Sequence, residues 1–443
     1  MQNIFFSFIL LGAIFNITAI TTNNLDSFLT PKIIILNFNN RDPQNSILTE
    51  TNKVLQPKIN ENRVFEVDLT DNKIYFFENG ELKKTIPIAY QAPYGKWYQT
   101  PAGYFRIGVK KEKLFSSLFP VYMNYAVQMY EDFFIHEIPY YLDGRRVNSN
   151  FTGGCIRLED KYAQEFFKLA KAGDLVISYL TFKNFKIKEG FHQPVNIKEF
   201  FIRQKFNNPL RTTYTYSKDR ENDYIQHAGI DIAPLPSAKD LNVYSIADGK
   251  VVKIIKNGEK DHGLGNTVIV EITRTNANNY NERELMQTEN NATRTDANNY
   301  NNREPVRTRY QEFAFENDFR KSSREGSQEF TSEKLYALYG HMAEINPKIK
   351  EEDFIKAGQI LGKVGATGFG CNYWRIGEDG CDKETPLDTH LHLEIKTKPV
   401  LETPVPAKCN IKGQKVKCYG YAPHSPQNYG YIDPLIFLFE KIR

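Results

Sequence analysis

The stretch RVFEVDLTDNKIYFFENGELKKTIPIAY, residues 63–90, decides the fold class of this chain. Its apolar and polar residues alternate, and such alternation is typical of a strand with one buried face. Turn signals interrupt the alternation at Asp71-Asn72 and at Asn79-Gly80. The stretch therefore predicts a β-hairpin or meander, and with it a mainly β protein.

Neighbouring segments extend this pattern into a first domain over residues 63–180. TPAGYFRIGVKK and DLVISYL are further strand candidates. Between them, DKYAQEFFKLAKAGD has helical spacing at Tyr162, Phe166 and Leu169, and Gly173 is expected to end the helix. The first domain is therefore predicted to be mostly β with one short helix.

A second β-rich domain is predicted over residues 225–440, after a polar linker at residues 181–224. Its short strand candidates are GIDIA, VYSIADGKVVKII, NTVIVEI, LYALYGHM, QILGKVG and HLHLEIK. Residues 273–333 interrupt this domain, because TRTNANNYNERE recurs there as TRTDANNYNNRE. The Asn-rich copies lack the hydrophobic face of a solenoid, so the segment is expected to be a polar insertion between two strands.

The N-terminal segment, residues 1–20, is largely apolar and precedes the first charged residue, Asp26. This pattern is typical of a secretory signal peptide, and an uncleaved N-terminal anchor is the alternative. Residues 21–62 are expected to be a polar spacer. The protein is thus expected to be exported to the periplasm or cell envelope, with membrane contact only if the segment stays uncleaved. The net charge of +4 is spread out, so no nucleic-acid partner is expected.

Export makes disulfides possible, and the chain has five cysteines, an odd number. Two pairs are close in sequence, so Cys371-Cys381 and Cys409-Cys418 are candidate disulfides. The other pairings of these four cysteines stay open. In each case Cys155 is left unpaired.

Cys155 has the surroundings that a nucleophilic thiol needs. Gly153-Gly154 permits a tight turn before it, and such a turn can aim backbone N–H groups at a developing oxyanion. If CIRL is extended, Arg157 shares a face with Cys155 and can stabilise a thiolate and hold a substrate carboxylate. His136 is the candidate base. The alternative is that Cys155 is a small buried apolar residue and His136 a core histidine.

Together, TPAGYF, the upstream histidine and TGGCIRL resemble the L,D-transpeptidase (YkuD-type) catalytic domain. The resemblance covers residues 63–180 and implies that Cys155 is the nucleophile and His136 the base. The sequence departs from the family at Gly153, where His is frequent, and at Glu137, where Gly is common. Such enzymes form an acyl-enzyme with a peptidoglycan stem peptide and pass it to an amine. An L,D-carboxypeptidase, which passes it to water, is the alternative.

Three histidine-containing motifs in the second domain, HAGID, YGHM and HLH, indicate a zinc hydrolase, which needs three protein ligands and an open position for water. His390 and His392 are expected to share a face of a strand, so that one can bind a metal while the other reaches the bound water. His227 and Asp231 can meet only if the chain bends, which Gly229 permits.

The segments HAGIDIA, ADGKVV, GNTVIV, YGHM, GQILGKVGATG, HLHLE and YIDPL resemble the LytM/lysostaphin-type zinc metalloendopeptidases. The resemblance implies a Zn²⁺ cofactor held by His227, Asp231 and His392. It also implies that His390 is the general base and that His341 helps to hold the water or the developing oxyanion.

The two resemblances predict a two-domain enzyme that remodels peptidoglycan, with an L,D-transpeptidase β-sandwich and a LytM-type β-sheet endopeptidase joined by a linker. The first domain would form or exchange stem-peptide links, and the second would cut cross-links with zinc. The alternative from another class is a non-catalytic protein that binds the cell wall or activates an amidase.

Overall fold

The computed structural model describes most of the chain from residue 62 onward. The described residues are 62–95, 98–116, 119–211, 224–235, 237–258, 263–272, 334–368, 388–398, 407–411, 414–418, 420–423 and 425–442. They all belong to one compact unit, Leu48–Arg443. Strands dominate this unit, so the predicted mainly β fold class is confirmed.

Within its described residues, the first predicted domain contains ten strands and the helix α1 (Asp160–Leu169). The strands are β1 (Arg63–Asp68), β2 (Lys73–Glu78), β3 (Glu81–Pro87), β4 (Gly103–Arg106), β5 (Lys110–Ser116), β6 (Val121–Tyr130), β7 (Phe133–Glu137), β8 (Tyr140–Tyr141), β9 (Ile156–Leu158) and β10 (Leu175–Thr181).

β1, β2 and β3 form the predicted antiparallel meander, with Val64 opposite Phe77. Asn79 and Gly80 have positive φ angles of 53° and 75°, as a tight hairpin turn requires. These turn residues are the ones that the sequence pattern marked. The burial differs from the pattern, because both faces of β1 and β2 are buried, and Glu66 of β1 accepts a hydrogen bond from the buried Tyr179 hydroxyl at 3.2 Å.

Helix α1 ends at Leu169, before the predicted end at Gly173. The next residue, Ala170, is extended, with φ −66° and ψ 135°. The carboxylate of Asp174 then accepts the N–H of Lys171 at 2.9 Å. The chain therefore leaves the helix early and turns into β10.

The segment predicted as a linker contains β11 (Phe185–Ile187), β12 (Phe200–Gln204) and β13 (Pro209–Arg211). Four of the five residues of β12 are buried. The polar composition around this strand concealed the short apolar run that forms it. The described part of the segment is thus part of the folded unit and not a free connection.

The described part of the second predicted domain contains fifteen strands and the helix α2 (Pro434–Leu438). The strands are β14 (Tyr224–His227), β15 (Ile230–Pro234), β16 (Asn242–Tyr244), β17 (Gly249–Ile255), β18 (Asn266–Ile272), β19 (Leu335–Met342), β20 (Glu344–Ile345), β21 (Phe354–Ile355), β22 (Ile360–Lys363), β23 (Leu391–Lys396), β24 (Ala407–Ile411), β25 (Gln414–Cys418), β26 (Tyr421–Pro423), β27 (Tyr431–Ile432) and β28 (Phe439–Lys441).

One sheet of 13 strands crosses both predicted domains. Its order is β21-β17-β18-β19-β23-β15-β12-β10-β1-β2-β3, with β27 beside β23 and β4 beside β10. β12 joins the two halves, because Ile202 lies opposite Leu180 of β10 and opposite Ile232 of β15. Buried apolar residues from both halves form one large continuous core, and a smaller separate cluster around Leu264 and Leu338 lies in the second half.

A second sheet carries the residues of the predicted cysteine site. Its order is β5-β6-β7-β9, with β8 beside β6. β7 and β9 are parallel, with Ile135 opposite Ile156 and His136 opposite Arg157. The two isoleucines are fully buried. Since side chains alternate along a strand, His136 and Arg157 share the other face.

Several predictions concern residues outside the described ranges. These residues include 1–61, with the predicted signal peptide or anchor, and the insertion at 273–333. The strands that flank the insertion, β18 and β19, are antiparallel neighbours, with Ile272 opposite Leu335. Within the described ranges, no helix is long and apolar enough to cross a membrane.

The two candidate disulfides also stay predictions. Cys371 and Cys381 lie outside the described residues. The register of β24 and β25 places Cys409 opposite Val416, and Cys418 lies opposite Ala407. Cys155 is a free thiol.

We expect a fragment that begins at Asn208 to aggregate. Removal of β12 would expose the edge of β15 together with the apolar residues that β12 covers. A fragment that begins at Phe182 keeps β12, and its aggregated fraction in size-exclusion chromatography should be clearly smaller. Equal behaviour of the two fragments would show that β12 is not needed to protect the second half of the sheet.

Candidate active sites

A glycine turn sets the position of Cys155, directly before β9. Gly154 has a φ of +103°, and a Cβ there would lie 2.3 Å from the ring of Phe133 and 2.8 Å from the carbonyl oxygen of Tyr98. Only glycine satisfies both constraints. Thr152 closes the turn, because its hydroxyl accepts the N–H of Gly154 at 3.1 Å and donates to the carbonyl of Cys155 at 2.6 Å.

The thiol of Cys155 is held between backbone groups of the neighbouring strand. Its Sγ accepts the N–H of Phe134 at 3.4 Å and donates to the carbonyl of Asp132 at 3.7 Å. Burial raises the pKa of Cys155 to about 11, although the Phe134 N–H and the charge of Arg157 act against this increase. The resting group is therefore a neutral thiol, and reaction requires a base.

His136 is a buried, neutral imidazole on β7. Its Nδ1 hydrogen-bonds to the carbonyl oxygen of Glu137, so Nε2 is left as a proton acceptor. Burial lowers the pKa of His136 to about 4. This state suits a residue that must accept a proton from another group.

Arg157 places a buried positive charge at the same site. Its Nη1 donates to the carbonyl of Ser149 at 2.7 Å, and within the described residues its buried Nε has no hydrogen-bond partner. A buried N–H without a partner is costly, and a carboxylate is the acceptor that best matches a guanidinium. The geometry therefore suits the predicted binding of a substrate carboxylate.

The structure brings the predicted residues Cys155, His136 and Arg157 to adjacent parallel strands. In the described part of the chain the thiol bonds to the backbone of β7 rather than to His136, so the role of His136 as base stays a prediction. Glu137, which departs from the family pattern, is buried and accepts an amide hydrogen bond from Asn124 at 3.2 Å. Burial raises its pKa.

The second site brings the three predicted zinc ligands into contact. Nε2 of His227 lies 3.1 Å from Nδ1 of His392 and 3.2 Å from Oδ1 of Asp231. The third side of this triangle, from Nδ1 of His392 to Oδ1 of Asp231, is 2.9 Å. All three residues are buried, and their arrangement can hold a metal ion.

The local backbone explains how these ligands meet. β15 pairs with β23, which places Asp231 directly opposite His392. His227 ends β14, and the chain bends at Gly229 before β15 begins, as predicted. A Cβ at Gly229 would lie 2.4 Å from the carbonyl oxygen of Leu393, so the bend presses the backbone against β23.

The ligand triangle fits a tetrahedral zinc ion. Zinc bonds of about 2.0–2.2 Å separate tetrahedral ligand atoms by roughly 3.4 Å, so the three donors need to spread by only a few tenths of an ångström. A cavity of about 20 Å³ adjoins the triangle, and it has room for a water molecule at the fourth position. The donor set therefore fits a catalytic rather than a closed structural zinc site.

Hydrogen bonds behind the rings select the tautomers that suit a metal. Nδ1 of His227 donates to the carbonyl of Lys205, and Nε2 of His392 donates to Glu394, both at 3.0 Å. The other ring nitrogens, Nε2 of His227 and Nδ1 of His392, thus direct their lone pairs toward the carboxylate of Asp231. A proton or a cation must lie among these three acceptor atoms. Burial opposes protonation of His392, but hydrogen bonds to Asp231 and Glu394 raise its pKa to about 9. A metal can replace this proton.

Glu394 is held as a carboxylate by a buried lysine. Burial alone would raise the pKa of Glu394, but Lys396, at 2.6 Å, and His392 lower it to about 2. An ionised acceptor at this position strengthens the basicity of the His392 ring toward a metal.

His390 and His341 line the cavity beside the ligands. Nδ1 of His390 donates to the carbonyl of Asp388 at 2.6 Å, and Nδ1 of His341 donates to that of Thr367 at 2.9 Å. Nε2 of each ring is therefore left as an acceptor. Burial lowers the pKa of His341 to about 3 and holds the pKa of His390 well below its usual value, so both rings are neutral.

Arg203 is a site residue that the sequence reasoning missed. Its Nη2 lies 3.4 Å from Nε2 of His390 and 3.5 Å from Oδ2 of Asp231. The carboxylate is thereby oriented, because Oδ1 faces the other ligands while Oδ2 faces Arg203. The surrounding sequence FFIRQ carries no ligand motif, and only the pairing of β12 with β15 reveals the contact.

These features give the first domain a mostly β fold with a buried thiol, a neutral imidazole and a guanidinium brought close together. Residues 62–177 match the family model described as YkuD, the L,D-transpeptidase catalytic domain. The first domain is thus an L,D-transpeptidase-type catalytic domain, and the predicted resemblance is confirmed for this part of the chain. No curated protein matches the chain.

Solved structures similar to this chain include an L,D-transpeptidase from Stackebrandtia nassauensis, with 19% identity over 30% of this chain and 63% of that one, and a TM-score of 0.23. L,D-transpeptidase 1 from Mycobacterium tuberculosis has 18% identity over 27% of this chain and 61% of that one, with a TM-score of 0.22. A fused Zn-dependent amidase/peptidase/peptidoglycan-binding domain-containing protein from Clostridium acetobutylicum has 17% identity over 31% of this chain and 63% of that one, with a TM-score of 0.23. This chain therefore spans less than two thirds of the length of each.

We expect alkylation of Cys155 by iodoacetamide to accelerate about tenfold for each pH unit between pH 7 and pH 9, without a plateau. The reason is that only the thiolate reacts and the pKa of Cys155 is raised to about 11. The rate should be followed on the peptide that contains Cys155 by mass spectrometry, with Cys155→Ser as the control. A rate that is already constant below pH 7 would contradict the neutral thiol.

Proposed function

We propose that the protein is an exported enzyme that remodels peptidoglycan with two catalytic sites. The first site forms or exchanges stem-peptide links through Cys155, and the second cuts cross-links as a zinc endopeptidase. The matched L,D-transpeptidase domain supports the first activity. The observation that carries the second is the buried triangle of His227, Asp231 and His392 beside two neutral histidines.

At the first site, Cys155 is the nucleophile that attacks a stem-peptide carbonyl. His136 takes the thiol proton at Nε2 and returns it to the departing amine, after which an acyl-enzyme remains. The N–H of Phe134, 3.4 Å from Sγ, stabilises the thiolate as the proton leaves. Arg157 holds a carboxylate of the substrate through its buried guanidinium, which orients the peptide. An amine acceptor then gives a new cross-link.

At the second site, His227, Asp231 and His392 would hold the zinc ion. A zinc ion bound there would polarise the scissile carbonyl and lower the pKa of a bound water. His390 takes a proton from the attacking water at Nε2, since its Nδ1 is committed to the carbonyl of Asp388. His341 lines the same cavity, and its Nε2 accepts a hydrogen bond from the water, since its Nδ1 is committed to the carbonyl of Thr367.

Arg203 adds a positive charge to this cavity from β12. Its position near both Asp231 and His390 keeps the carboxylate aligned and disfavours a proton on His390. Because both effects act on buried groups, solvent screens them only weakly. Burial, and then the charge of Arg203, therefore keep the pKa of His390 low and the proposed base neutral.

We expect His392→Ala to lose bound zinc and His390→Ala to keep it. The first variant removes a ligand, whereas the second removes only the proposed base and should lower kcat by about 10²–10⁴-fold. Zinc content should be measured by atomic absorption, and release of soluble fragments from purified peptidoglycan should be measured in parallel. His192→Ala is the matched control, because this histidine contacts Gln193 and Tyr244 rather than the site. Wild-type protein without bound zinc and without zinc-dependent release would refute the endopeptidase.

We expect the protein to convert stem peptides into new dimers, and Cys155→Ala to abolish this conversion. Zinc-dependent fragment release by the variant should stay within about twofold, because Cys155 is not part of the metal site. Mass analysis of muropeptides distinguishes the outcomes. Shortened monomers without new dimers would show that the first domain is a carboxypeptidase, which transfers the acyl group to water.

A further inference from the structure

One segment of the L,D-transpeptidase domain contacts the cysteine site and also the residues that hold the metal-ligating His227. This bridging segment comprises residues 90–95 and 98–102, between β3 and β4. Its last three residues, 100–102, belong to the TPAGYF segment, but the motifs that carry the site residues do not include it. Its contacts lie at the cysteine site on one side and at residues 205–208, between β12 and β13, on the other.

The bridging segment holds the backbone around Cys155. Tyr90 pairs with Arg157 through two backbone hydrogen bonds of 3.2 and 2.8 Å. The carbonyl oxygen of Tyr98 packs against Gly154 so closely that a Cβ there would lie 2.8 Å away. The ring of Tyr98 also packs on Phe151, with centroids 5.2 Å apart.

The same segment is bonded to residues 205–208 on its other side. Ala102 and the side chain of Asn208 exchange two hydrogen bonds of 2.8 and 2.9 Å. Gln99, which is fully buried, donates to the carbonyl of Phe206, and the amide of Asn207 donates to the carbonyl of Gly95 at 3.1 Å.

Lys205 contributes a buried side chain to this contact. Its side chain is 2% exposed, and its ammonium group donates to the carbonyl of Thr100. It also lies 5.8 Å from the ring centre of Tyr94, whose hydroxyl donates to Asp433 at 2.9 Å. Burial of an ammonium group costs free energy unless its N–H donors are hydrogen-bonded. The Lys205 side chain therefore has few alternative conformations that keep its hydrogen bond.

Residues 205–208 in turn hold the metal-ligating His227. The carbonyl of Lys205 accepts Nδ1 of His227 at 3.0 Å and so selects the ring tautomer. The backbone of His227 is held as well, because its N–H donates to Asn208 at 3.0 Å and its carbonyl accepts from Asn207 at 2.9 Å. Position, orientation and tautomer of this ligand therefore all depend on residues 205–208.

We propose that the bridging segment positions His227 through residues 205–208. The L,D-transpeptidase domain thereby helps to determine the geometry of the metal site. Gln99, Lys205 and Asn208 are positioning residues for the zinc ligand. This inference rests on the proposed zinc site. It implies that the affinity for zinc changes when contacts inside the other domain are altered.

The test compares two glutamines of the bridging segment in the full chain. Gln99 reaches across to Phe206, whereas Gln91 donates to the carbonyl of Leu69 and to Asn72 within its own domain. Gln99→Met should weaken zinc binding by roughly fivefold or more, since outer-shell partners contribute about 10–100-fold to metal affinity. Gln91→Met should stay within about twofold. Zinc affinity is measured by competition with a chromophoric chelator.

Thermal unfolding of each variant separates positioning from general stability. Equal zinc affinities of Gln99→Met, Gln91→Met and the wild type would overturn the inference. It would also be overturned if both variants lost zinc affinity in proportion to their loss of melting temperature. Asn208→Ala is the second variant and should also weaken binding, and if it fails to fold, Gln99→Met alone decides. A wild-type protein that binds no zinc would instead refute the proposed zinc site itself.

Discussion

The pairing of β12 on both of its edges is the constraint on which the two halves of the molecule depend. One edge bonds to β10 of the L,D-transpeptidase domain, and the other bonds to β15, which carries Asp231. Register matters here, because a slip of one residue would turn Arg203 away from Asp231 and His390. The burial of Phe200 and Ile202, at 3% and 0% exposure, opposes such a slip.

Buried charges dominate the second site, and each of them has an opposite charge or a backbone group within reach. Arg203 faces Asp231, and Lys396 pairs with Glu394. These partners keep the rings of the site in defined tautomers before any ligand arrives. Such a site needs little reorganisation to accept a cation, which is the physical basis of preorganised metal binding.

The sequence predicted much of this arrangement, because its signals are local. The alternation in residues 63–90, the turn at Asn79-Gly80 and the spacing of HAGID and HLH each follow from short-range geometry. Arg203 and the bridging segment could not be predicted in this way. Their roles depend on which strands become neighbours, and no single sequence pattern pairs β12 with β15. Polar composition likewise concealed β12 within a segment that was expected to be a linker.

The continuous sheet has a consequence for how the two proposed activities meet their polymer. Two sites joined by a flexible linker sample many separations. The effective concentration of one site near the other then depends on the length of the linker. Here β10, β12 and β15 are successive strands of one sheet, and their spacing is set by backbone hydrogen bonds. Under the proposed function, a polymer bound at one site would meet the second site at a separation fixed by the sheet. The spacing of the groups along that polymer would then determine which of them the second site can reach.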